Sequence, residues 1–525
     1  MWQSLTMGEG LNPALVYTGE IDSKQLAGVD HVPMQIKGRP SLVFPHSYET
    51  WVKLRQLGYD PPSPMEKYYN WPGIYTPRES QKITSIFFTY HNRCFCLNGL
   101  GTGKTYSAIW GLDYLRREGL IRRVLVVAPK TTRYLVWVSE FFRSTVKAVV
   151  RVAEGDRDQK REVASNLNYD VVVVNPESLH LIEHFLPDVD LVVVDEFTKF
   201  KTKNTRRYRA LEKIVGKADD PKRGLWMMSA TPAPQSPMDA YGPCKLVNPA
   251  FPYTKTEWQL STMFRTSKYN WVPRPGATDF IFKFMRPSVR FTREECYDLP
   301  PVQYINLDVE MTGGQKTALA QLEDQGMALV EGERITATNA GAIFTKAQQI
   351  INGFIYNRDK EPKFLPNRPM EEAVLDLVNS SPDPVLVFAS FPPAVKKFHE
   401  FLTKHGVRSR MVYGGIKQGE RDEAFREFYD GTLDAIVAVA STMSHGLNQL
   451  VTGNVIIWTV APTSFEVYKQ AIGRMDRSGQ QKPVVVYQLV NSAMGKKLFS
   501  RQATREKLQQ SLLDLFGKGG TNVQT

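Results

Sequence analysis

The residues of this 525-residue chain best suited to chemistry lie at 97–105, in the run LNGLGTGKT. The apolar run at 94–97 reads as a buried strand, and 106–115 as the start of a helix. A glycine-rich turn between strand and helix converges backbone N–H groups on an anion at the helix N-terminus. In that geometry Gly101, Thr102 and Gly103 form the turn, Lys104 reaches the β- and γ-phosphates of a nucleotide, and the Thr105 hydroxyl ligates Mg²⁺. The full pattern has a glycine where Asn98 stands, so a glycine turn without a nucleotide is the competing reading.

Three more stretches carry reactive types. The apolar run 191–194 ends in Asp195 and Glu196. Adjacent acids at a strand end can place one carboxylate on Mg²⁺ and the next beside an attacking water, so Asp195 is the candidate metal ligand and Glu196 the water-orienting base. The alternative is an ordinary acidic strand end. Ser229-Ala230-Thr231-Pro232 follows the apolar run 225–228, where Ser229 and Thr231 could couple a phosphate sensor to a second surface. Far downstream, the stretch from Gln470 to Gln480 contains Arg474 and Arg477, three residues apart. A planar, permanently charged guanidinium suits phosphate, and an arginine supplied from a second lobe would complete the site only on closure. Otherwise this is a solvated basic turn.

These groups need elements to hold them. Apolar runs at 124–128, 171–174, 191–194 and 225–228, with helical patterns at 131–142 and 204–214, predict a doubly wound α/β unit over 74–248. Continuous Val/Leu runs of this length suit parallel strands buried on both faces. Runs at 385–388, 411–413, 435–440, 455–459 and 484–489, with helices at 394–404 and 421–428, predict a second unit over 371–516. Residues 249–370 between them are irregular and aromatic, 1–73 read as a small accessory module with a Pro-rich connector at 61–64, and 517–525 as a frayed end. Within the module, 31–37 and 41–45 read as strands and 48–57 as a helix.

The bulk composition is ordinary for a globular protein, 42% hydrophobic and 23% charged. The net charge of +12, from 66 basic against 54 acidic residues, favours an anionic partner such as nucleic acid. The four cysteines, Cys94, Cys96, Cys244 and Cys296, have no zinc spacing and read as reduced thiols of a cytoplasmic protein, with Cys94 and Cys96 as core residues on one face of a predicted strand. No run has membrane-spanning length, and no signal-peptide pattern opens the chain.

The order of these motifs over two α/β units resembles the helicases and translocases of superfamily two, and most closely the Swi/Snf family of DNA-dependent ATPases. Arg78 and Gln81 in TPRESQ resemble the adenine-reading glutamine motif. VLVVAPKTTRYLVWVSEF at 124–141, DEFTKFK at 195–201 and STMSHGLN at 441–448 resemble further family segments. Residues 55–73 resemble the leader of compact bacteriophage members, which would place the protein in the cytoplasm of an infected bacterium. The resemblance covers 74–515. It implies two tandem RecA-like lobes with an inter-lobe insert, ATP and Mg²⁺ in the cleft, and Gln470 and Gln480 among the coupling residues. It further implies that Thr131, Lys201, Ser390 and Ser441 face a DNA backbone.

The chain departs from the family at several positions. Thr198 replaces a histidine, Asp476 stands where histidine is common, and Thr459 where an acid is common. None of these removes a group that must touch phosphate or metal. Residues 255–290 add Arg265, Lys268 and other basic residues interleaved with aromatics. That segment is either a backbone-gripping protrusion with stacking groups or the small aromatic core of an insert. The resulting expectation is an ATP-dependent motor on duplex or branched DNA, with a possible protein partner at the N-terminal module and no membrane. The alternatives are a strand-separating helicase and an ATP-binding DNA scaffold without turnover.

Overall fold

The computed structural model describes every residue except 1, 6–12, 20–25, 27, 131, 187, 220–221, 268–269, 298–299, 326, 331–332, 337–339, 444–449, 478, 518–522 and 525. Two parallel sheets dominate it. The first runs, edge to edge, Val523–Gln524, Ser288–Val289, Arg93–Cys96, Gly224–Met228, Leu191–Asp195, Val124–Val127, Val171–Val174 and Val150–Val152. All neighbours are parallel except Val523–Gln524, which is antiparallel to Ser288–Val289. The second sheet, entirely parallel, runs Gln303–Asp308, Val485–Val490, Val455–Trp458, Val385–Phe388, Ala435–Ala438 and Ser409–Val412. These are two tandem RecA-like α/β lobes.

The apolar runs become central strands because both faces of each sheet are covered by helices. In the first lobe Phe95, Leu125, Val172, Val192, Leu225 and Met227 pack into one core. Their sequence neighbours Cys94, Cys96, Val124, Val126, Val171, Val173, Trp226 and Met228 pack into the opposite one. Both cysteines therefore serve as small apolar residues on one face. In the second lobe a single cluster gathers Val385–Phe388, Ala435–Ala438, Ile456 to Trp458 and the apolar faces of the flanking helices.

The N-terminal module is an antiparallel sheet ordered Trp2–Leu5, Ala14–Thr18, Arg39–Pro45 and Val32–Ile36. The helix Tyr48–Gln56 closes its core through Leu54, which packs with Leu15 and Phe44. The Ser47 hydroxyl caps that helix by accepting the Thr50 N–H at 3.2 Å. The Pro-rich connector then delivers Met65 and Tyr69 onto Tyr106, Trp110 and Tyr114 of the helix Lys104–Arg117. Tyr69 donates to Asp113 at 2.6 Å, and the Trp110 indole N–H to the Pro72 carbonyl at 2.8 Å. The module is thus anchored to the helix that leaves the glycine-rich turn.

Residues 249–370 contribute to both sheets. Ser288–Val289 extends the first and Gln303–Asp308 the second. Between the first lobe and Ser288, the helices Lys255–Thr262 and Ala277–Phe284 flank a hairpin of Met263–Ser267 and Asn270–Pro273. Of the two readings for the aromatics here, the packing matches the core one. Trp258 is fully buried, stacks among Phe251, Tyr253, Phe280 and Phe284, and joins the core of the first lobe. Phe264 on the hairpin is exposed.

Two stretches differ from expectation. The helix expected at 131–142 begins as a π-helical segment, Arg133–Val138, before the α-helix Ser139–Arg143. At the other end, 517–525 is not wholly a frayed end, because Val523–Gln524 pairs with the open edge of Ser288–Val289. An open sheet edge offers backbone groups that any short segment can satisfy, so no side-chain pattern announces the pairing. No helix of the described residues is long and apolar enough to cross a membrane.

Candidate nucleotide site between the lobes

Strand Arg93–Cys96 ends at the glycine-rich turn, and Gly103 caps the helix Lys104–Arg117. Gly101 and Gly103 have φ of +74° and +85°, values that glycine adopts without steric cost. Gly103 also lies against Gln81: a Cβ there would sit 2.2 Å from the Gln81 Nε2. The Gln81 Oε1 accepts the Arg78 N–H at 3.0 Å, closing a capping box at the start of Glu79–Tyr90. The Arg78 guanidinium donates to the Thr102 carbonyl at 3.3 Å and lies 4.4 Å from the Tyr297 ring centroid. Lys104 donates to the Asn98 and Gly99 carbonyls at 3.0 and 2.8 Å, and the Thr102 hydroxyl donates to Gly99 at 2.9 Å.

Asn98 replaces a glycine at no cost to the turn. Its amide is buried, donating to the Thr84 hydroxyl at 2.9 Å and accepting the Phe291 N–H at 2.9 Å. The residue that breaks the sequence pattern therefore ties the turn to the chain beyond Ser288–Val289.

Asp195 and Glu196 stand at the end of the strand Leu191–Asp195, which pairs with Gly224–Met228. The π-helical segment carries Trp137, whose indole N–H donates to Asp195 at 3.1 Å. Glu196 has φ of +55° and accepts the Ser229 hydroxyl at 3.1 Å, while Ser229 in turn accepts the Thr231 N–H at 3.1 Å. Ser229 and Thr231 are thereby linked to the acid pair. Burial pushes both carboxyls up; Glu196 reaches about 8, raised further by Glu466 and then Asp195.

Glu466 comes from the second lobe, in the helix Phe465–Ile472. It accepts the Thr198 hydroxyl and the Gln470 amide, each at 3.3 Å. The cleft between the lobes is lined by Leu100, Gly101, Pro129, Thr132, Asp195 and Glu196 from the first lobe, and by Gln470, Gly473, Arg474 and Arg477 from the second. Burial lowers both arginines, Arg474 to about 9, with Arg477 adding to its shift. The cleft thus juxtaposes acids and a phosphate-type loop on one side with arginines on the other.

The three departures all have partners. Thr198 bonds Glu466 across the cleft. Asp476 pairs with Arg293. Thr459 is buried and donates to Asn352 at 2.6 Å.

The remaining candidates are distributed as follows. Thr131 and Lys268 lie outside the described residues, as do 444–448 of STMSHGLN. Lys201 pairs with the buried Asp239 at 3.1 Å, and Asp239 also accepts the Gln235 N–H at 2.8 Å. Ser390 follows the strand Val385–Phe388, and Ser441 lies in Ala440–Met443 just beyond Ala435–Ala438, both at C-terminal strand ends of the second sheet. Arg265 is exposed on the hairpin. Gln480 is buried and spends its amide on the Gly453 and Val451 carbonyls at 2.8 and 3.2 Å, so it braces the second lobe.

Sequence reasoning named the segment that carries Trp137 but gave that residue no role, and it missed Arg293, Tyr297 and Glu466. Glu466 lies only four residues before Gln470, whereas Arg293 and Tyr297 meet the site from a stretch with no motif.

Comparison with known proteins matches two family models: the DEAD/DEAH box helicase over residues 79–240 and the helicase conserved C-terminal domain over 370–479. The chain is 21% identical over 466 residues to putative protein p41 of Acyrthosiphon pisum secondary endosymbiont phage 1, covering 84% of this chain and 98% of that one. It is 22% identical over 446 residues to the ISWI chromatin-remodeling complex ATPase ISW2 of Saccharomyces cerevisiae, covering 79% and 38%. A solved structure, the Sulfolobus solfataricus SWI2/SNF2 ATPase core in complex with dsDNA, aligns at 17% identity and a TM-score of 0.40, covering 87% and 99%.

Proposed function

Since this chain belongs to the Swi/Snf-type ATPases of helicase superfamily two, with a phage protein among its relatives, we propose that it couples ATP hydrolysis to movement along duplex DNA. The observation that carries the proposal is the cleft itself. Its two sets of phosphate-directed groups belong to different lobes, so a competent site exists only while the lobes are together.

In this reading Gly101, Thr102, Gly103 and Lys104 hold the phosphates, and Arg78 and Gln81 read the adenine. Thr105 and Asp195 offer hard oxygen ligands to Mg²⁺, an ion that binds through one or two protein oxygens plus the substrate phosphates. Bound there, Mg²⁺ would neutralise charge on the phosphates. Glu196 orients the attacking water, held by Ser229. Arg474 and Arg477 meet the charge that develops on the transferred phosphoryl group. Thr198, Glu466 and Gln470 link the acid pair to the helix Phe465–Ile472, which leads directly into the turn bearing the arginines.

DNA is the proposed track because the chain carries +12 net charge and its relative ISW2 is a chromatin-remodeling ATPase. Lys201, Ser390, Ser441 and Arg265 are the proposed backbone contacts, joined by Thr131 and Lys268. Contacts of this kind hold phosphates and carry little sequence information. Alternating grips by two lobes that open and close would move the motor along the duplex.

The test pairs two ATP-dependent assays, displacement of a triplex third strand and unwinding of a tailed duplex. We expect displacement, abolished by Lys104→Ala, with little unwinding. Efficient unwinding with the triplex left intact would make the protein a strand-separating helicase instead.

A further inference from the structure

Val289 and the two residues after it are bonded to the glycine-rich turn almost as a sheet. Leu97 N–H donates to the Val289 carbonyl and Gly99 N–H to the Phe291 carbonyl, each at 2.9 Å, while the Arg290 guanidinium donates to the Leu97 carbonyl at 2.9 Å. Arg293 follows, at the start of a turn capped by Thr292. Its backbone nitrogen would lie 3.3 Å from a Cβ built on Gly99, so this segment lies directly against the phosphate-type loop.

The side chain of Arg293 then crosses the cleft to Asp476, between Arg474 and Arg477. The two side chains are only 13% and 15% exposed. The ion pair uses Nη1. Among the described residues, its Nε and Nη2 groups are buried with no hydrogen-bond partner. Arginine is not deprotonated in proteins, and buried donors without acceptors are costly, the more so on a charged group. A fold that buries two such donors beside a phosphate-type loop, with Arg477 close enough to disfavour their charge, provides for an acceptor to meet them. Asp476 cannot satisfy them from its present position.

We propose that Arg293 is a third arginine of the nucleotide cleft, held in place by Asp476 so that its remaining N–H groups meet phosphate oxygens of ATP. The proposal rests on the ATPase reading above and adds a nucleotide-binding residue from outside both family-matched segments. It also accounts for an acid between two phosphate-directed arginines: Asp476 is neutralised by Arg293 and positions it. The ion pair makes the segment linking the lobes part of the closed cleft.

The test compares the unsubstituted protein, Arg293→Ala, Arg293→Lys and Arg408→Ala. The last removes a surface arginine paired with Asp434, away from the cleft. Titration calorimetry with a non-hydrolysable ATP analogue and Mg²⁺, without DNA, gives the affinity; DNA-stimulated turnover gives KM and kcat; a thermal midpoint reports folding. Hydrogen bonds to charged groups predict that Arg293→Ala weakens analogue binding and raises KM about ten- to a hundredfold. Arg293→Lys should keep the thermal midpoint, because lysine can pair with Asp476, yet retain most of the affinity loss for want of the planar fork. Arg408→Ala should match the unsubstituted protein.

Unchanged affinity in Arg293→Ala, or full recovery in Arg293→Lys, would overturn the inference and leave Arg293 as a partner of Asp476 alone. Should the alanine variant fail to fold, the lysine variant decides. Failure of the unsubstituted protein to bind the analogue would instead overturn the ATP-site reading itself, and this inference with it.

Discussion

Replacing Gly103 by alanine should disturb the site through two separable effects. The first is local: Gly103 has φ of +85°, and an alanine held in the left-handed region costs roughly 1–2 kcal/mol. The second is a collision, since the new methyl would lie 2.2 Å from the Gln81 Nε2 and 3.1 Å from its Cδ. Gln81 must then move, and the bond from the Arg78 N–H to its Oε1, 3.0 Å long, is lost. Losing such a helix cap costs about 1 kcal/mol. The single substitution should therefore destabilise by about 2–3 kcal/mol, the sum of those two terms. Gln81→Ala removes the cap alone, for about 1 kcal/mol. In the double variant the collision with Gln81 is gone and the nearest remaining neighbour is the Arg78 Nη2 at 3.3 Å, the far end of a flexible side chain, so its cost should equal that of Gly103→Ala alone.

The signature is a coupling of about 1 kcal/mol between the two sites, well outside the scatter of roughly 0.3–0.5 kcal/mol expected for independent ones. Thermal melting of the four proteins, followed by tryptophan fluorescence, measures it. For a unit the size of the first lobe, about 1 kcal/mol moves the midpoint by about 2–4 °C. Discrimination between ATP and GTP should fall in both single variants and no further in the double. Additive midpoint shifts would refute the contact between Gly103 and Gln81 on which the reasoning depends.

Two further outcomes are expected. Arg477→Ala should slow DNA-stimulated ATP hydrolysis by about 10³-fold or more, while Glu196→Gln should bind ATP but stall, both read by phosphate release; a rate within about tenfold of the unsubstituted protein for Arg477→Ala would show that it does not meet the charge on the transferred phosphoryl group. DNA affinity should fall with salt at a slope of about −0.9 per neutralised phosphate and be indifferent to sequence. Arg265→Ala with Lys268→Ala should flatten that slope by one to two such units in a filter-binding titration. The neighbouring Arg274 has a structural role instead, its guanidinium donating to the Leu260 and Met263 carbonyls at the base of the hairpin.

The central strands were legible because each is an unbroken apolar run, and only burial on both faces explains such a run. The glycine-rich turn, the acid pair and the arginines were legible because their chemistry needs particular types at short spacing. Gln303–Asp308 was not. Its side chains are mostly exposed, and it joins the second sheet through backbone bonds that leave no periodic trace. Ser288–Val289 is too short to show a pattern at all. The cross-cleft pairs Thr198 with Glu466 and Arg293 with Asp476 bring together residues separated by most of a lobe or more in sequence. Nothing local marks either member as half of a pair, and Asp476 and Thr198 register in the sequence only as departures from the family. Gln480 is the converse case: its place in a family motif suggested coupling, whereas its amide serves the backbone around it.

Because Ser288–Val289 lies beside Arg93–Cys96, the first lobe is not self-contained at residue 248. A polypeptide ending there would leave Arg93–Cys96, a strand whose four residues are all buried, as an uncovered edge. Its one charge, Arg93, is buried against the Val215, Gly216 and Leu246 carbonyls, so the edge would lack the exposed charges, prolines or bulges that protect natural edges from pairing with another chain. The amide of Asn98 would lose the Phe291 N–H, and the turn that follows would lose its outer wall. Such a fragment should self-associate through that edge, whereas one carried through Phe291 should stay dispersed. For this protein the shortest well-behaved nucleotide-binding fragment is defined by a two-residue strand more than forty residues beyond the last helix of the lobe.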